Sequence, residues 1–256
     1  MNSRWKENIL GKSLTSMKVG GPILAFSRPS SIPEFQQDLL EAKRQGLPVR
    51  VIGAGSDILF ADAGLKGVLL QPAFNRARIV TAEEVGEHDY GNIPTVKAEH
   101  RYRREQKEGA LHLSDAGRSV SGVCQYVSLE AGLPWGQAVL WSLQQNLIGL
   151  HWYARIPCLV GGAVFNNIHG EKHLLSEVVV GVWAFSEGKA EPYFIPAPEL
   201  EFGYDYSRFH HTSEMVLSVV LRLPIVTTEV AEAAKKQYIQ WTQAKTTKVN
   251  LANSEG

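Results

Sequence analysis

The chain has 256 residues, 44% hydrophobic and 20% charged, enough to bury the core of one large or two small domains. Lysine plus arginine and aspartate plus glutamate both total 26, so no overall field draws a polyanion and a nucleic-acid partner is not expected. The longest strongly apolar run, 178–185, is far too short to span a bilayer, and no long apolar stretch follows Met1, so a soluble cytoplasmic chain without a membrane partner is expected.

Ser31 and Glu34 form a capping box and Pro33 suits a first helical turn. Phe35, Leu39 and Leu40 supply an apolar stripe that ends at Gly46, which predicts a helix of about four turns. Pro48 to Ile52 is a short β-branched run, so a strand arrives directly at Gly53-Ala54-Gly55-Ser56-Asp57. Gly67 to Leu70 is the next strand. From Asn75 to Tyr126 the chain is polar and irregular and reads as β-hairpins, with Arg101-Tyr102-Arg103-Arg104 as a solvated tip. Val127 to Glu130 resumes a strand, and Pro134 opens a helix with Trp135, Val139 and Leu143 on one face. Val178 to Phe185 and Pro192 to Ile195 form a hairpin, and Met215 to Leu223 a further strand. A last helix is expected from Thr228 to Lys245, with Val230, Ala234, Tyr238 and Trp241 at helical spacing, followed by a polar tail without periodicity.

The Gly53–Asp57 loop can turn tightly and point several N–H groups at one spot, as a pyrophosphate requires. It is neither a Rossmann fingerprint, because the third glycine is missing, nor a P-loop, because the Lys-Ser/Thr pair is missing. Taken alone, a plain turn is an equal reading. Ile156-Pro157-Cys158-Leu159-Val160-Gly161-Gly162-Ala163 is a second such loop, and Val19-Gly20-Gly21-Pro22 a third glycine element. His169 and His173 stand four apart, but Glu171 is misplaced for H-E-x-x-H and Gly170 weakens a helix, so no metal is expected. Cys124 and Cys158 are the only cysteines and read as small apolar packing residues.

In this order the motifs resemble the UDP-N-acetylenolpyruvoylglucosamine reductase family (UDP-N-acetylmuramate dehydrogenases). Thr15 to Pro22 is similar to the family's T-x-[KR]-x-G-G opening, and Gly53 to Leu59 to its G-x-G-S-N-L-L loop, with Asp57 for Asn. Ala131 to Trp135 resembles A-G-x-x-W, Ile156 to Ala163 resembles I-P-G-T-V-G-G-A, and Phe202-Gly203-Tyr204 with Ser207-Arg208-Phe209 resembles F-G-Y-R-x-S-x-F. Three departures bear on chemistry. Arg155, Cys158 and Leu159 stand where the family has Gly, Gly and Thr or Ser; Asn166 to Gly170 replaces N-x-G-A-Y-G; and Asp205 occupies the position of the family's catalytic arginine. Aspartate cannot do what that cation does beside a carboxylate, so Arg208, three residues on, is the candidate replacement, against the plainer reading of a surface or ion-pair residue.

The resemblance implies an α+β chain with the two-subdomain PCMH-type FAD-binding fold of the vanillyl-alcohol oxidases. The expected parts are a first subdomain over 1–72, a polar hairpin insertion over 73–126, a second subdomain over 127–226, and a helix and linker over 227–256. It also implies that the chain stops before the family's C-terminal substrate-binding domain, so that the isolated chain is expected to lack turnover. The implied cofactors are FAD and, as hydride donor, NADPH; the implied substrate is the nucleotide sugar UDP-N-acetylglucosamine enolpyruvate, reduced to UDP-N-acetylmuramate. The implied FAD ligands are Gly53, Ala54, Gly55, Ser56, Asp57, Ile156, Pro157, Cys158, Leu159, Val160, Gly161, Gly162, Asn167 and His169. Asp205 and Arg208 are the catalytic candidates. Two other readings stand beside this one: a divergent flavin oxidase or dehydrogenase of the same fold, and a flavin-binding module without catalysis.

Overall fold

The computed structural model describes residues 4–85, 123–170, 172–186, 189 and 191–254. Most of the segment read as inserted hairpins, the Arg101–Arg104 patch included, lies outside the described residues.

β1 (Lys6–Leu10) and β2 (Pro22–Ser27) pair antiparallel. α1 (Ile32–Arg44) begins as its capping box predicts: Ser31 Oγ accepts from Glu34 N at 3.3 Å, and the Glu34 carboxylate accepts from Ser30 N at 2.8 Å. Its buried face differs from the expected stripe. Phe35, Asp38, Leu39 and Ala42 are buried, whereas Leu40 is 64% exposed, because positions 35, 38, 39 and 42 share one side of a 3.6-residue helix and 40 does not.

β3 (Val49–Val51) and β4 (Leu65–Leu70) complete a four-stranded sheet of order β1-β2-β4-β3, with β4 parallel to both β2 and β3. The continuous apolar run of β4 follows from burial on both faces. Val68 and Leu70 enter the main core with Phe35, Leu39 and Ala42, and Leu69 enters a smaller cluster with Ile23, Phe26 and Ile52.

β5 (Ala77–Val80) and the short α2 (Ala82–Val85) come before residues 86–122, and β6 (Cys124–Glu130) after them. The strand at 77–80 lies in the stretch expected to form β-hairpins. Its own pattern is weak, and antiparallel pairing with β6, from Ala77 opposite Leu129 to Val80 opposite Tyr126, is what makes it a strand. α3 (Trp135–Gln144) and α4 (Val160–Phe165) lead to the two-stranded β7 (His169–Gly170) and β8 (His173–Leu174). β9 (Val179–Phe185) and β10 (Tyr193–Pro196) form the expected hairpin, and β11 (Met215–Pro224) pairs with both β9 and β6. The second sheet therefore has the order β10-β9-β11-β6-β5 and is antiparallel throughout.

α5 (Thr228–Ser254) runs past its expected end at Lys245. No glycine or proline occurs between Lys245 and Gly256, so nothing local stops the helix when the apolar periodicity fades. Ala231, Ala234 and Tyr238 attach it to the main core.

The sheets meet where Gly132 crosses the 72–74 link. Gly132 N donates to Phe74 O at 3.0 Å, and a Cβ at 132 would lie 2.5 Å from Pro72 O and 2.6 Å from Phe74 O, so only glycine permits the crossing. Phe74 also packs edge-on against Phe35, with ring centroids 5.9 Å apart, which ties α1 to this junction.

Asp38 is fully buried on the apolar face of α1, and its carboxylate ties three elements together. Oδ1 accepts from Trp5 Nε1 at 3.0 Å and Arg4 Nη2 at 2.9 Å, and Oδ2 accepts from Ser27 Oγ at 2.7 Å. A buried carboxylate is tolerated only when hydrogen-bonded in this way, and its removal strands the buried donors. Asp38→Ala is expected to lower unfolding stability by about 3 kcal/mol, and Asp38→Asn by less, measured by urea denaturation.

Candidate functional site

β3 ends at Ile52, whose N–H donates to Leu70 O at 2.9 Å, and the chain then enters the first glycine loop. Gln71 Nε2 holds Gly53 O at 2.7 Å. The N-terminal segment crosses the loop from the other side: Ser16 N donates to Gly55 O at 2.9 Å and Ser16 Oγ to Ser56 O at 3.0 Å. Gly55 has φ +72°, and a Cβ there would sit 2.0 Å from Leu14 O, so both conformation and space demand glycine. Ala54 and Asp57 are exposed along the loop.

The second loop leaves a 3-10 turn at His151–Tyr153 and enters α4. Trp135 N donates to Cys158 O at 3.0 Å, Val160 N to Leu133 O and Gly161 N to Ala131 O, both at 2.9 Å. Two amides at the start of α4 are thus engaged by the β6–α3 connection. Burial pushes the Cys158 thiol up to about 12, so it stays protonated and packs as an apolar group.

The loops face each other. A Cβ built on Gly53 would lie 3.9 Å from Gly162 Cα, and Asn166 Nδ2, just beyond α4, donates to Asp57 Oδ2 at 3.4 Å. The structure thereby brings together residues 53–57 and 156–162, separated by about a hundred positions in sequence.

The remaining candidates diverge. Asn167 is fully buried in the left-handed region (φ +43°), and its amide is engaged at both ends: Nδ2 donates to Gly203 O at 2.7 Å and Oδ1 accepts from Ser176 N at 2.8 Å. His169 is exposed and stacks on Tyr204 at 4.7 Å, with Nδ1 3.1 Å from Asp205 Oδ1 and Nε2 3.3 Å from Tyr204 Oη. Asp205 occupies a left-handed turn position (φ +50°) in the turn closed by Gly203 N to Tyr206 O at 3.0 Å. Arg208 is held elsewhere. Its Nε and Nη2 meet the two Glu214 carboxylate oxygens at 2.8 and 2.9 Å, and Nη1 donates to Glu199 O at 3.0 Å. Burial pushes the Glu214 carboxyl up, but hydrogen bonds from Tyr193, Arg208 and Thr212 more than offset this and leave it lowered. His173 turns to Glu177 (2.8 Å) while His169 turns to Asp205, and no metal-binding cluster occurs among the described residues.

Thr15 Oγ1 and Arg155 Nη1, in segments next to the loops, have no hydrogen-bond partner among the described residues, as is also true of Trp135 Nε1. Thr15 is 2% exposed and its Cα lies 3.2 Å from the Cβ position of Gly55. Facing backbones without Cβ atoms, together with buried donors left unmatched, fit a ligand rich in phosphate oxygens such as a dinucleotide. Sequence reasoning named the glycines but missed both donors. Thr15 carried no signal of burial, and Arg155 read only as a departure from glycine.

A FAD binding domain family model matches residues 103–187. In solved structures the chain superposes on a UDP-N-acetylenolpyruvylglucosamine reductase from Thermus caldophilus with TM-score 0.61 and 21% identity, over 93% of this chain and 70% of that one. A solvent-stable cholesterol oxidase gives TM-score 0.51 at 13% identity, over 86% of this chain and 37% of that one. The fold is therefore the two-subdomain FAD-binding fold that reductases and oxidases share. Curated relatives narrow the class. UDP-N-acetylenolpyruvoylglucosamine reductases of Synechococcus sp. (strain JA-3-3Ab) and Xylella fastidiosa (strain M12) are 28% and 30% identical over 210 and 206 residues. Over about four fifths of its length the chain is similar to UDP-N-acetylenolpyruvoylglucosamine reductases. These matches cover 82% and 80% of this chain but 54% and 47% of the relatives, so the chain spans about half their length.

The turn that feeds the second loop holds a buried histidine. His151 is 3% exposed, in a tilted ring stack with Trp152 at 4.3 Å, which in turn stacks on His173 at 4.8 Å. Burial, then the nearby His173, push its imidazole down from 6.5 to about 4. A folded-state value below the unfolded one means that the unfolded chain takes up the proton first, so the contribution is complete above the unfolded value and is lost as pH falls. Unfolding stability is expected to drop by about 3 kcal/mol between pH values of about 6.5 and 4 through this group, and His151→Phe to flatten that slope in pH-dependent urea denaturation.

Proposed function

We propose that the chain holds FAD between its two glycine loops and serves the NADPH-linked reduction of UDP-N-acetylglucosamine enolpyruvate to UDP-N-acetylmuramate, a cytoplasmic step of peptidoglycan biosynthesis. The observation that carries this reading is the approach of Gly53 to Gly162, which sets two Cβ-free backbones face to face in a chain similar to these reductases. When bound, FAD supplies the hydride chemistry. The protein's share is positional. The first loop is clamped by Ser16 and Gln71, and the second by Leu133 and Ala131 O, so both present a fixed backbone to the cofactor. Residues 204–205 and His169 lie beyond the end of α4, where a substrate would meet the flavin in this reading.

A second reading, a flavin oxidase or dehydrogenase of the same fold with another substrate, has one observation in its favour. An enolpyruvyl carboxylate calls for a cation, yet Asp205 faces His169, and Arg208 is committed to Glu214. The two readings differ in what reoxidises the flavin.

Purified chain reconstituted with FAD is expected to show flavin absorbance bands after desalting, and NADPH is expected to bleach them anaerobically. Recovery of the bands on adding the enolpyruvyl nucleotide sugar supports the reductase reading and overturns the expectation that the chain alone lacks turnover; fast recovery with oxygen alone supports the second. A chain that retains no flavin defeats both.

A further inference from the structure

The turn at 203–206 is fastened to the end of α4 by two polar side chains that are themselves fully buried. Asn167 Nδ2 donates to Gly203 O at 2.7 Å, and Ser207 Oγ donates to Phe165 O at 2.6 Å. Three non-glycine residues of this corner take left-handed backbones: Asn167 (φ +43°), Glu201 (φ +49°) and Asp205 (φ +50°). Such conformations persist only where the surroundings over-determine them, and the side chains they carry are held in fixed directions. Asn166 Nδ2 reaches Asp57 Oδ2 at 3.4 Å, so the corner adjoins the first glycine loop.

Its outward face has one chemical character. Tyr204 is 45% exposed and stacks on the exposed His169, whose Nδ1 lies 3.1 Å from Asp205 Oδ1. Beside them Tyr206 Oη meets His211 Nδ1 at 2.7 Å, and His211 Nε2 lies 3.6 Å from Glu201 Oε2. Asp205 and Glu201 are both exposed, whereas Arg208 is committed to Glu214 and to Glu199 O. Carboxylates accept hydrogen bonds from hydroxyl groups and repel a further anion. A ring held in place offers an apolar face that suits the C–H side of a sugar. Hydroxyl donors beside an apolar face describe a carbohydrate, and a carboxylate is the group this corner rejects.

We infer that the 203–206 turn and His169 form a specificity site for an uncharged sugar ring, with Asp205 accepting its hydroxyl groups and excluding a substrate that brings a carboxylate to this place. The inference deepens the second reading above and rests on it, since that reading takes a substrate other than the enolpyruvyl sugar.

The test compares UDP-N-acetylglucosamine with its enolpyruvyl ether, two ligands that share the nucleotide and differ in a carboxylate-bearing group, by calorimetric titration of the chain reconstituted with FAD. Wild type is expected to bind the uncharged sugar about tenfold more tightly than the ether. Asp205→Asn keeps a residue suited to a left-handed turn and is expected to abolish that preference; Asp205→Arg is expected to reverse it. Tyr204→Ala is expected to weaken both ligands alike and leave their ratio unchanged. Apo melting temperatures report whether each variant folds, and Asp205→Asn decides the matter if Asp205→Arg does not. A wild-type chain that binds the ether as tightly as the uncharged sugar, that binds neither, or whose preference survives in Asp205→Asn overturns the inference. Flavin absorbance after desalting is read on the same samples. Flavin lost with the sugar preference intact defeats the flavin reading alone, and flavin retained without the preference defeats this inference alone.

Discussion

The site depends on one steric constraint: backbones that approach too closely for any Cβ. Leu14 O lies 2.0 Å from the Cβ position of Gly55, Asp62 O 1.9 Å from that of Gly21, and Pro22 O 1.8 Å from that of Gly64. These contacts let the N-terminal segment lie directly on the loop after β3 and hold it by main-chain hydrogen bonds. A loop held in this way needs no lysine or metal to keep its shape, and its amides and carbonyls keep fixed directions. The same economy operates at Gly132, where the two sheets join. Glycine thus sets both the shape of the site and the relation between the sheets that carry its two halves.

Much of this was legible in sequence where local rules act. The capping box at Ser31 and Glu34, the hairpin of β9 and β10 and both glycine loops follow from spacing and turn chemistry. What was not legible depends on partners distant in the chain. β5 is a strand because β6 lies beside it. Asp38 contradicts the rule that a helix buries its apolar residues, and only the arrival of Trp5, Arg4 and Ser27 makes its burial tolerable. Leu40, part of the expected stripe, faces solvent because position 40 lies off the side of the helix shared by 35, 38, 39 and 42.

The candidate site divides along the same line. Its glycine frame was readable as motif, but the roles of side chains depended on spatial neighbours. Asn167, expected beside the cofactor, braces Gly203 to Ser176. Asp205, standing where a cation is expected, meets His169 from 36 residues away, and Arg208 meets Glu214. A substitution that looks like loss in an alignment can therefore be a new pairing, because Asp205 and His169 are complementary to each other even where neither matches the family pattern.

β4 has a further consequence. Its alternate residues belong to different hydrophobic clusters, with Val68 and Leu70 in the large core and Leu69 in a cluster of four buried residues cushioned by Leu14, Ile58 and Phe60. The strand is a party wall between a deep interior and a small cluster on the side of the first glycine loop. Four buried side chains remove far less apolar surface from water than the main core does, so the loop on that side owes its shape chiefly to its backbone hydrogen bonds and Cβ-free contacts.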